Sequence, residues 1–313
     1  MLDAIPNLAV RRNAPLAAYT RFGIGGPADL LAETADESAF LAAIRAVRAS
    51  TTPYVVIGGG TNLIVSDDGF RGVVLRFVAE RIDVRTPLLA AGAGADLQQV
   101  VDAAIAHGLQ GVETLAGIPG TFGAAVYGNA GAYGHSISER VSSARFYNGI
   151  DVRTFSNPEC EFQYRDSIFK RHKDWIIFSA ELALSPADPA QLRHQAADIV
   201  RLRNQKFPPT MKCAGSVFKN LLVTELPPAV AAAVPPEVVR EGKIPAAYFL
   251  DQVGAKGLSR GDIRVADYHA NLLYNAGSGT ARDLRALIAE LRSRVRDRFG
   301  FSLVEEVQYI GST

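Results

Sequence analysis

The sequence predicts a mixed α/β protein, with two compact α/β units followed by a third region. Three observations predict this. Helical apolar spacing alternates with short β-branched runs, glycine clusters stand directly after strands, and the chain closes on a long amphipathic helix followed by a β-type run.

From Asp36 to Ser50, Phe40, Leu41, Ile44 and Val47 recur on one helical face. That helix leads into Val55, Val56 and Ile57, which stop at Gly58, Gly59 and Gly60. Glycines lack a Cβ, so backbone N–H groups there can approach a phosphate closely. A dinucleotide fold of the Rossmann type would next open a helix whose N-terminus holds the pyrophosphate. This chain instead runs through Thr61-Asn62 into Leu63-Ile64-Val65, the turn Ser66-Asp67-Asp68-Gly69, and the strand Gly72-Val73-Val74-Leu75. The pattern implies a phosphate cradle of different architecture and a nucleotide-like anion as ligand.

Leu88 to Gly94 then reads as a small-residue strand and turn. A second helix runs from about Asp96 to His107, with Leu97, Val100, Val101, Ala104 and Ile105 buried and Gly108 as its C-terminal cap. A third helical stretch lies between Pro186 and Lys206, and Phe207-Pro208-Pro209 ends it as a domain boundary. Residues 225–245 are rich in Pro and Ala and read as an irregular insertion. The strongest helix is Ala281 to Phe299, striped by Leu284, Leu287, Ile288, Leu291 and Val295. Thr280 and Asp283 have the spacing of an N-terminal capping box, and Gly300 ends the helix. Arg285, Arg292 and Arg296 on its outer face read as a solvated surface. Phe301 to Ile310 reads as a closing strand.

The chain has 313 residues, enough for two or three domains. Hydrophobic residues are 48%, charged residues 21%, and the net charge is +1, which argues against a general nucleic-acid or membrane-surface binder. Cys160 and Cys213 are too few for a disulfide framework or a cysteine-based metal site. With no signal-like apolar core near Met1 and no apolar run of about 18 residues, a soluble cytoplasmic protein is expected.

The second glycine run, residues 115–134, carries Gly117, Gly120, Gly123, Gly128, Gly131 and Gly134, with Thr121 and Asn129 among them. Alone it fits tight turns and close helix packing. Paired with the first cluster, it fits an elongated cofactor such as flavin adenine dinucleotide, one loop serving the pyrophosphate and the other a flat ring. Tyr164 and Arg165 stand together after a turn, and Arg165 could equally pair with Asp166 or Asp174 at the surface. Ser216 follows a glycine but lacks the Gly-x-Ser-x-Gly elbow, since Phe218 stands two positions on. That leaves it as a proton donor or hydrogen-bonding group. His269 reads as structural. Of Glu305 and Glu306, strand alternation lets only one face inward.

Seven segments, TRFGIGGPADL (20–30), IGGGTNLIVSDDGFRGVVL (57–75), LAGIPGTFGAAVYGNAGAYG (115–134), FQYRDSIFK (162–170), AGSVFKN (214–220), AKGLSRGDIRVADYHANLLYNAG (255–277) and LVEEVQYIG (303–311), stand in this order. Together they resemble the UDP-N-acetylenolpyruvoylglucosamine reductase (MurB) family, over about residues 10–311. The 51 positions from Arg165 to Ser216 resemble its subclass with the shorter loop.

The resemblance implies an FAD-binding fold of the vanillyl-alcohol oxidase type, two α/β subdomains plus a substrate-binding domain. The expected bounds are 1–80 and 81–206 for the FAD subdomains (the FAD region overall spanning about 20–200), 207–300 for substrate, and 301–313 for a closing strand. It implies NADPH as co-substrate, non-covalent FAD, and a UDP-sugar reduced at its enol ether for peptidoglycan precursor synthesis. It implies Arg165, Ser216 and Glu306 as catalytic residues, the serine giving a proton and the other two stabilising an enolate. For FAD it implies Gly58, Gly59, Gly60, Thr61, Asn62, Gly117, Ile118, Pro119, Gly120, Thr121, Gly123 and Asn129. For substrate it suggests Tyr164, Lys219, Asn220 and Tyr248. No metal, nucleic acid, membrane insertion or obligate protein partner is expected.

Three positions depart from the family pattern: Glu305 stands where proline is usual, Leu221 follows Asn220 where proline is common, and 225–245 is long. An oxidase or dehydrogenase of the same fold is the alternative, often with flavin tethered through Cys or His. Neither glycine loop contains Cys, and His135 lies just past the second. A non-catalytic nucleotide-binding module is the third class.

Overall fold

A computed structural model describes residues 2–311, and the chain within it forms two units. The first comprises the chain up to Ala14, Ala28–Gly60 and Arg71–Lys206. The second comprises Pro15–Pro27, Thr61–Phe70 and the chain from Phe207 onward.

In the first unit, one sheet orders its strands Ala9–Pro15, Pro27–Thr34, Phe70–Phe77 and Tyr54–Val56. The last two run parallel, with Val55 opposite Val74. The helix Glu37–Ala49 starts where the Asp36 carboxylate accepts from the Ser38 and Ala39 N–H groups. The Ser38 hydroxyl, then the Ala39 amide and Asn7, hold the Asp36 carboxyl down at about 2. Phe40, Ala43, Ile44 and Val47 bury against Val73 and Leu75. Phe40, Phe77 and Phe178 meet edge-on at 4.9–6.0 Å between ring centres.

A second, antiparallel sheet orders Val152–Ser156, Val141–Tyr147, Ile176–Ala183, Leu88–Gly92 and Ile82–Arg85. The helix Leu97–Ala106 packs on it through the five expected apolar residues, capped by Asp96 and ended by Gly108 at φ +64°. Helix Pro189–Lys206 adds Leu192 and Ala196 to the same core. Cys160 is buried here, and burial, then Glu159, pushes its thiol up to about 12.

The second unit is assembled from distant pieces. Leu63–Val65 pairs in parallel with Gln308–Ile310, and Phe22, Ile24 and Ile64 join a core built mostly beyond Phe207. An antiparallel sheet orders Lys212–Ser216, His269–Asn275, Ile263–Ala266 and Ser259–Arg260. The helix Ala281–Phe299 buries its five-residue stripe in this core. Each such aliphatic burial is worth about 1.5–3 kcal/mol. Thr280 accepts from Asp283 N–H as expected. Asp67 contributes a second cap, its two carboxylate oxygens accepting from Ala281 N–H at 2.8 Å and Arg282 N–H at 3.0 Å.

Three local expectations change. The closing run forms strand only at Gln308–Ile310, with an isolated bridge at Glu305 to Phe218. Its partner segment there is short, because Leu221–Leu222 turns away to pair with Lys243–Ile244. Residues 225–245 contain a helix at Pro228–Ala232 and a 3-10 turn at Pro236–Val238, since proline is well accommodated in a first helical turn. Arg285 departs from the solvated face expected of it, whereas Arg292 and Arg296 are exposed. Arg285 lies 4.5 Å over the Tyr309 ring, with Nε and Nη2 buried and no acceptor for them among the described residues. Arg292 pairs with Glu305 at 2.8 Å. No helix among the described residues is long and apolar enough to cross a membrane.

Candidate active site

The two glycine loops adjoin within the first unit. A Cβ on Gly59 would stand 3.2 Å from Gly120 Cα, and one on Gly58 would stand 2.8 Å from Thr121 Oγ1 and 3.3 Å from Ala124 Cβ. The start of the second loop therefore lies along the first. Among the described residues, the N–H groups of Gly58, Gly59 and Gly60 find no protein acceptor. Adjacent unspent backbone donors that no Cβ crowds are the donor set a pyrophosphate requires, so these residues fit FAD.

The second loop is more structured than its composition suggests. Phe122–Tyr127 is a short helix, and its first amides bond the neighbouring chain: Phe122 N–H to Ala95 O at 2.7 Å and Gly123 N–H to Ala93 O at 2.9 Å. A Cβ on Gly123 would stand 2.5 Å from Ala93 Cβ, so this glycine serves close packing. Gly117 N–H donates to Gln98 Oε1 at 2.7 Å. Asn129, at φ +45° and buried, uses its side chain within the protein. Its Nδ2 donates to Gln163 O at 2.8 Å and its Oδ1 accepts from Ser138 N–H at 3.2 Å.

Those bonds tie the glycine loop to the turn that carries Arg165. Arg165 has φ +55°, a left-handed conformation that costs an ordinary side chain about 1 kcal/mol or more. Its Nη2 donates to Gly131 O at 2.7 Å and its Nη1 to Asn129 O at 3.4 Å, with the Tyr164 ring 5.4 Å from the guanidinium carbon. Lys170 Nζ holds the Arg165 carbonyl at 2.9 Å. The Asp166 carboxylate pairs with Arg171 at 2.7 Å. Ser167, fully buried, anchors the turn by donating to Tyr127 O at 2.7 Å.

Ser216 ends its strand opposite Leu272 in the second unit. Gly215 before it has φ +77° and open space around the missing Cβ, so conformation rather than crowding calls for glycine. The chain then pairs with the 304–306 segment. Glu306 N–H donates to Val217 O at 2.8 Å and Lys219 N–H to Val304 O at 2.9 Å. The Glu306 carbonyl accepts from Asn62 Nδ2 at 2.8 Å. Glu306 is thus fixed by its backbone one residue away from Ser216. Glu305 instead commits its carboxylate to Arg292 and the Tyr309 hydroxyl.

Of the substrate candidates, Lys219 lies in this paired segment. Asn220 Oδ1 accepts from Ala246 N–H at 3.4 Å, and Tyr248 stacks edge-on against Phe249. His269 Nδ1 accepts from Asn271 N–H at 3.2 Å. Sequence reading missed Asn271, whose amide bonds both backbone groups of Phe218. A buried asparagine within an apolar strand was the available signal.

The family profile described as the C-terminal domain of UDP-N-acetylenolpyruvoylglucosamine reductase matches residues 207–310, and that of an FAD binding domain matches residues 28–149. The UDP-N-acetylenolpyruvoylglucosamine reductase of Solibacter usitatus is 66% identical over 99% of both chains. The enzyme of that name from Caldanaerobacter subterraneus is 33% identical over 96% of this chain and 93% of its own. The solved structure of UDP-N-acetylenolpyruvylglucosamine reductase from Thermus caldophilus superposes with a TM-score of 0.74 at 28% identity, covering 97% of this chain and 99% of that one. The chain belongs to the UDP-N-acetylenolpyruvoylglucosamine reductase family.

Proposed function

We propose that this chain reduces UDP-N-acetylenolpyruvoylglucosamine to UDP-N-acetylmuramate, with NADPH as electron donor, in the cytoplasmic synthesis of peptidoglycan precursors. The observation that carries this reading is the 66% identity across 99% of both chains. Held along the glycine loops, FAD would supply the two-electron chemistry that links NADPH to the substrate. Gly58, Gly59 and Gly60 would give the pyrophosphate its backbone donors, and the loop from Gly117 to Asn129, with Thr61 and Asn62 after the triplet, would line the rest of the cofactor.

The net change is addition of a hydride at the β-carbon of the enol ether and a proton at the α-carbon, so one C=C π bond is replaced by two C–H bonds. Negative charge builds on the substrate carboxylate between those events. Arg165 donates two parallel hydrogen bonds to those oxygens, a geometry that a planar guanidinium supplies. Ser216 gives its hydroxyl proton to the α-carbon, which is basic enough to take it. Glu306 assists the same intermediate. The commitment of Glu305 to Arg292 and Tyr309 favours Glu306 for this role. Tyr164, Lys219, Asn220 and Tyr248 contact the sugar nucleotide.

Anaerobic NADPH should bleach the flavin band near about 450 nm, and the enolpyruvyl sugar nucleotide should restore it. A band that stays bleached after the substrate is added would refute the assignment. Gly58→Val should crowd Thr121 and Ala124 and weaken FAD retention roughly tenfold or more. The flavin-to-protein absorbance ratio after gel filtration measures this, and an unchanged ratio would remove the glycine cradle from the cofactor site.

A further inference from the structure

The strand His269–Asn275 buries an asparagine whose amide is spent on one residue. Asn271 is 2% exposed; its Nδ2 donates to Phe218 O at 2.8 Å, and its Oδ1 accepts from Phe218 N–H at 2.9 Å. The Asn271 carbonyl also accepts from Val217 N–H at 3.1 Å. A regular ladder would bond these groups backbone to backbone, but the register with Lys212–Ser216 shifts between Cys213 and Ser216. The side-chain amide stands in for the interrupted strand. A leucine could fill the same volume, yet it would leave a buried N–H and C=O unpaired.

The other edge of the same segment bonds the residues around Glu306. Val217 O accepts from Glu306 N–H and Lys219 N–H donates to Val304 O. Residues 217–219 are therefore gripped from both sides, directly after Ser216 and directly against Glu306.

We propose that Asn271 is a positioning residue for the reaction, its amide clamp on Phe218 setting where the Ser216 hydroxyl stands relative to Glu306. This rests on the roles given above to Ser216 and Glu306. Asn271 is 2% exposed and its amide is spent on Phe218. It acts through the chain that carries the proton donor; hydride addition is reversible until the α-carbon is protonated, so misplacement of that donor slows net substrate-driven reoxidation.

The test uses FAD-loaded Asn271→Ala, which loses both amide bonds, and Asn271→Asp, which keeps the shape but loses the donor when ionised. NADPH-driven bleaching should stay within about twofold of wild type, while substrate-driven reoxidation slows roughly 10- to 100-fold. The loss should fall on kcat more than on KM, and the D2O solvent isotope effect on reoxidation should rise as protonation becomes limiting. A lower amplitude with an unchanged isotope effect would mean less folded enzyme and would overturn the proposal. Equal slowing of both half-reactions would do the same, as would failure of both variants to retain FAD. Ser216→Ala run in parallel separates the two layers. If it reoxidises at the wild-type rate, the role of Ser216 has failed and this proposal with it. If it stalls while both Asn271 variants run normally, only the positioning role has failed.

Discussion

Arg165→Lys is expected to slow the substrate-driven half-reaction by about 10²- to 10³-fold, equivalent to roughly 3–4 kcal/mol of barrier, while flavin reduction by NADPH continues. Lysine keeps the charge, so the loss isolates geometry. An ammonium presents a point charge and cannot give two parallel bonds to a carboxylate. The substrate carboxylate is already anionic in the ground state and gains further charge as hydride arrives. The guanidinium is therefore worth more in the transition state, and kcat should fall by more than KM rises. The protein's own architecture reinforces this. Arg165 sits at φ +55°, its guanidinium is steadied by the Gly131 and Asn129 carbonyls, and its backbone oxygen is held by Lys170. A shorter lysine cannot span the same anchors. Stopped-flow reoxidation at varied substrate concentration gives both constants. A change confined to KM would reduce Arg165 to a binding residue.

Much of the fold was legible where its logic is local. The glycine triplet after Val55-Val56-Ile57, the helix stripes and the cap at Thr280 depend on neighbours a few positions away, which a periodicity reading captures. What stayed hidden depends on partners far along the chain. Residues Thr61–Phe70 belong to the second unit because Leu63–Val65 pairs with Gln308–Ile310 and Asp67 caps the helix at Ala281. No local pattern reports either contact. Gly123 also packs closely on Ala93, which no local pattern reports. Arg292 is exposed as its position implies, but its ion pair with Glu305 is not visible locally, and that pairing separates Glu305 from Glu306. In each case the side chain's type was plain and its partner was not.

Ser216→Ala is expected to leave NADPH-driven bleaching intact and to slow reoxidation by about 10²- to 10⁴-fold, the range typical for loss of a positioned proton donor. Ser216 stands at a strand end beside a left-handed glycine, opposite Leu272, and removal of one half-buried hydroxyl there should cost about 1 kcal/mol of stability or less. A large kinetic effect with a small shift in thermal midpoint would therefore separate chemistry from folding. Loss of both half-reactions together would instead make Ser216 a structural residue. Cysteine sharpens the comparison. Its thiol is more acidic than an alcohol, with an ordinary pKa of about 8.5, and it fills the site about as well as serine does. If the hydroxyl donates the proton, Ser216→Cys should recover part of the rate that Ser216→Ala loses. If the hydroxyl serves only to hold an acceptor in place, the weaker hydrogen bonding of sulfur leaves Cys no better than Ala. The ranking Ser, then Cys, then Ala in reoxidation, with bleaching unchanged across all three, is the pattern that proton donation alone produces.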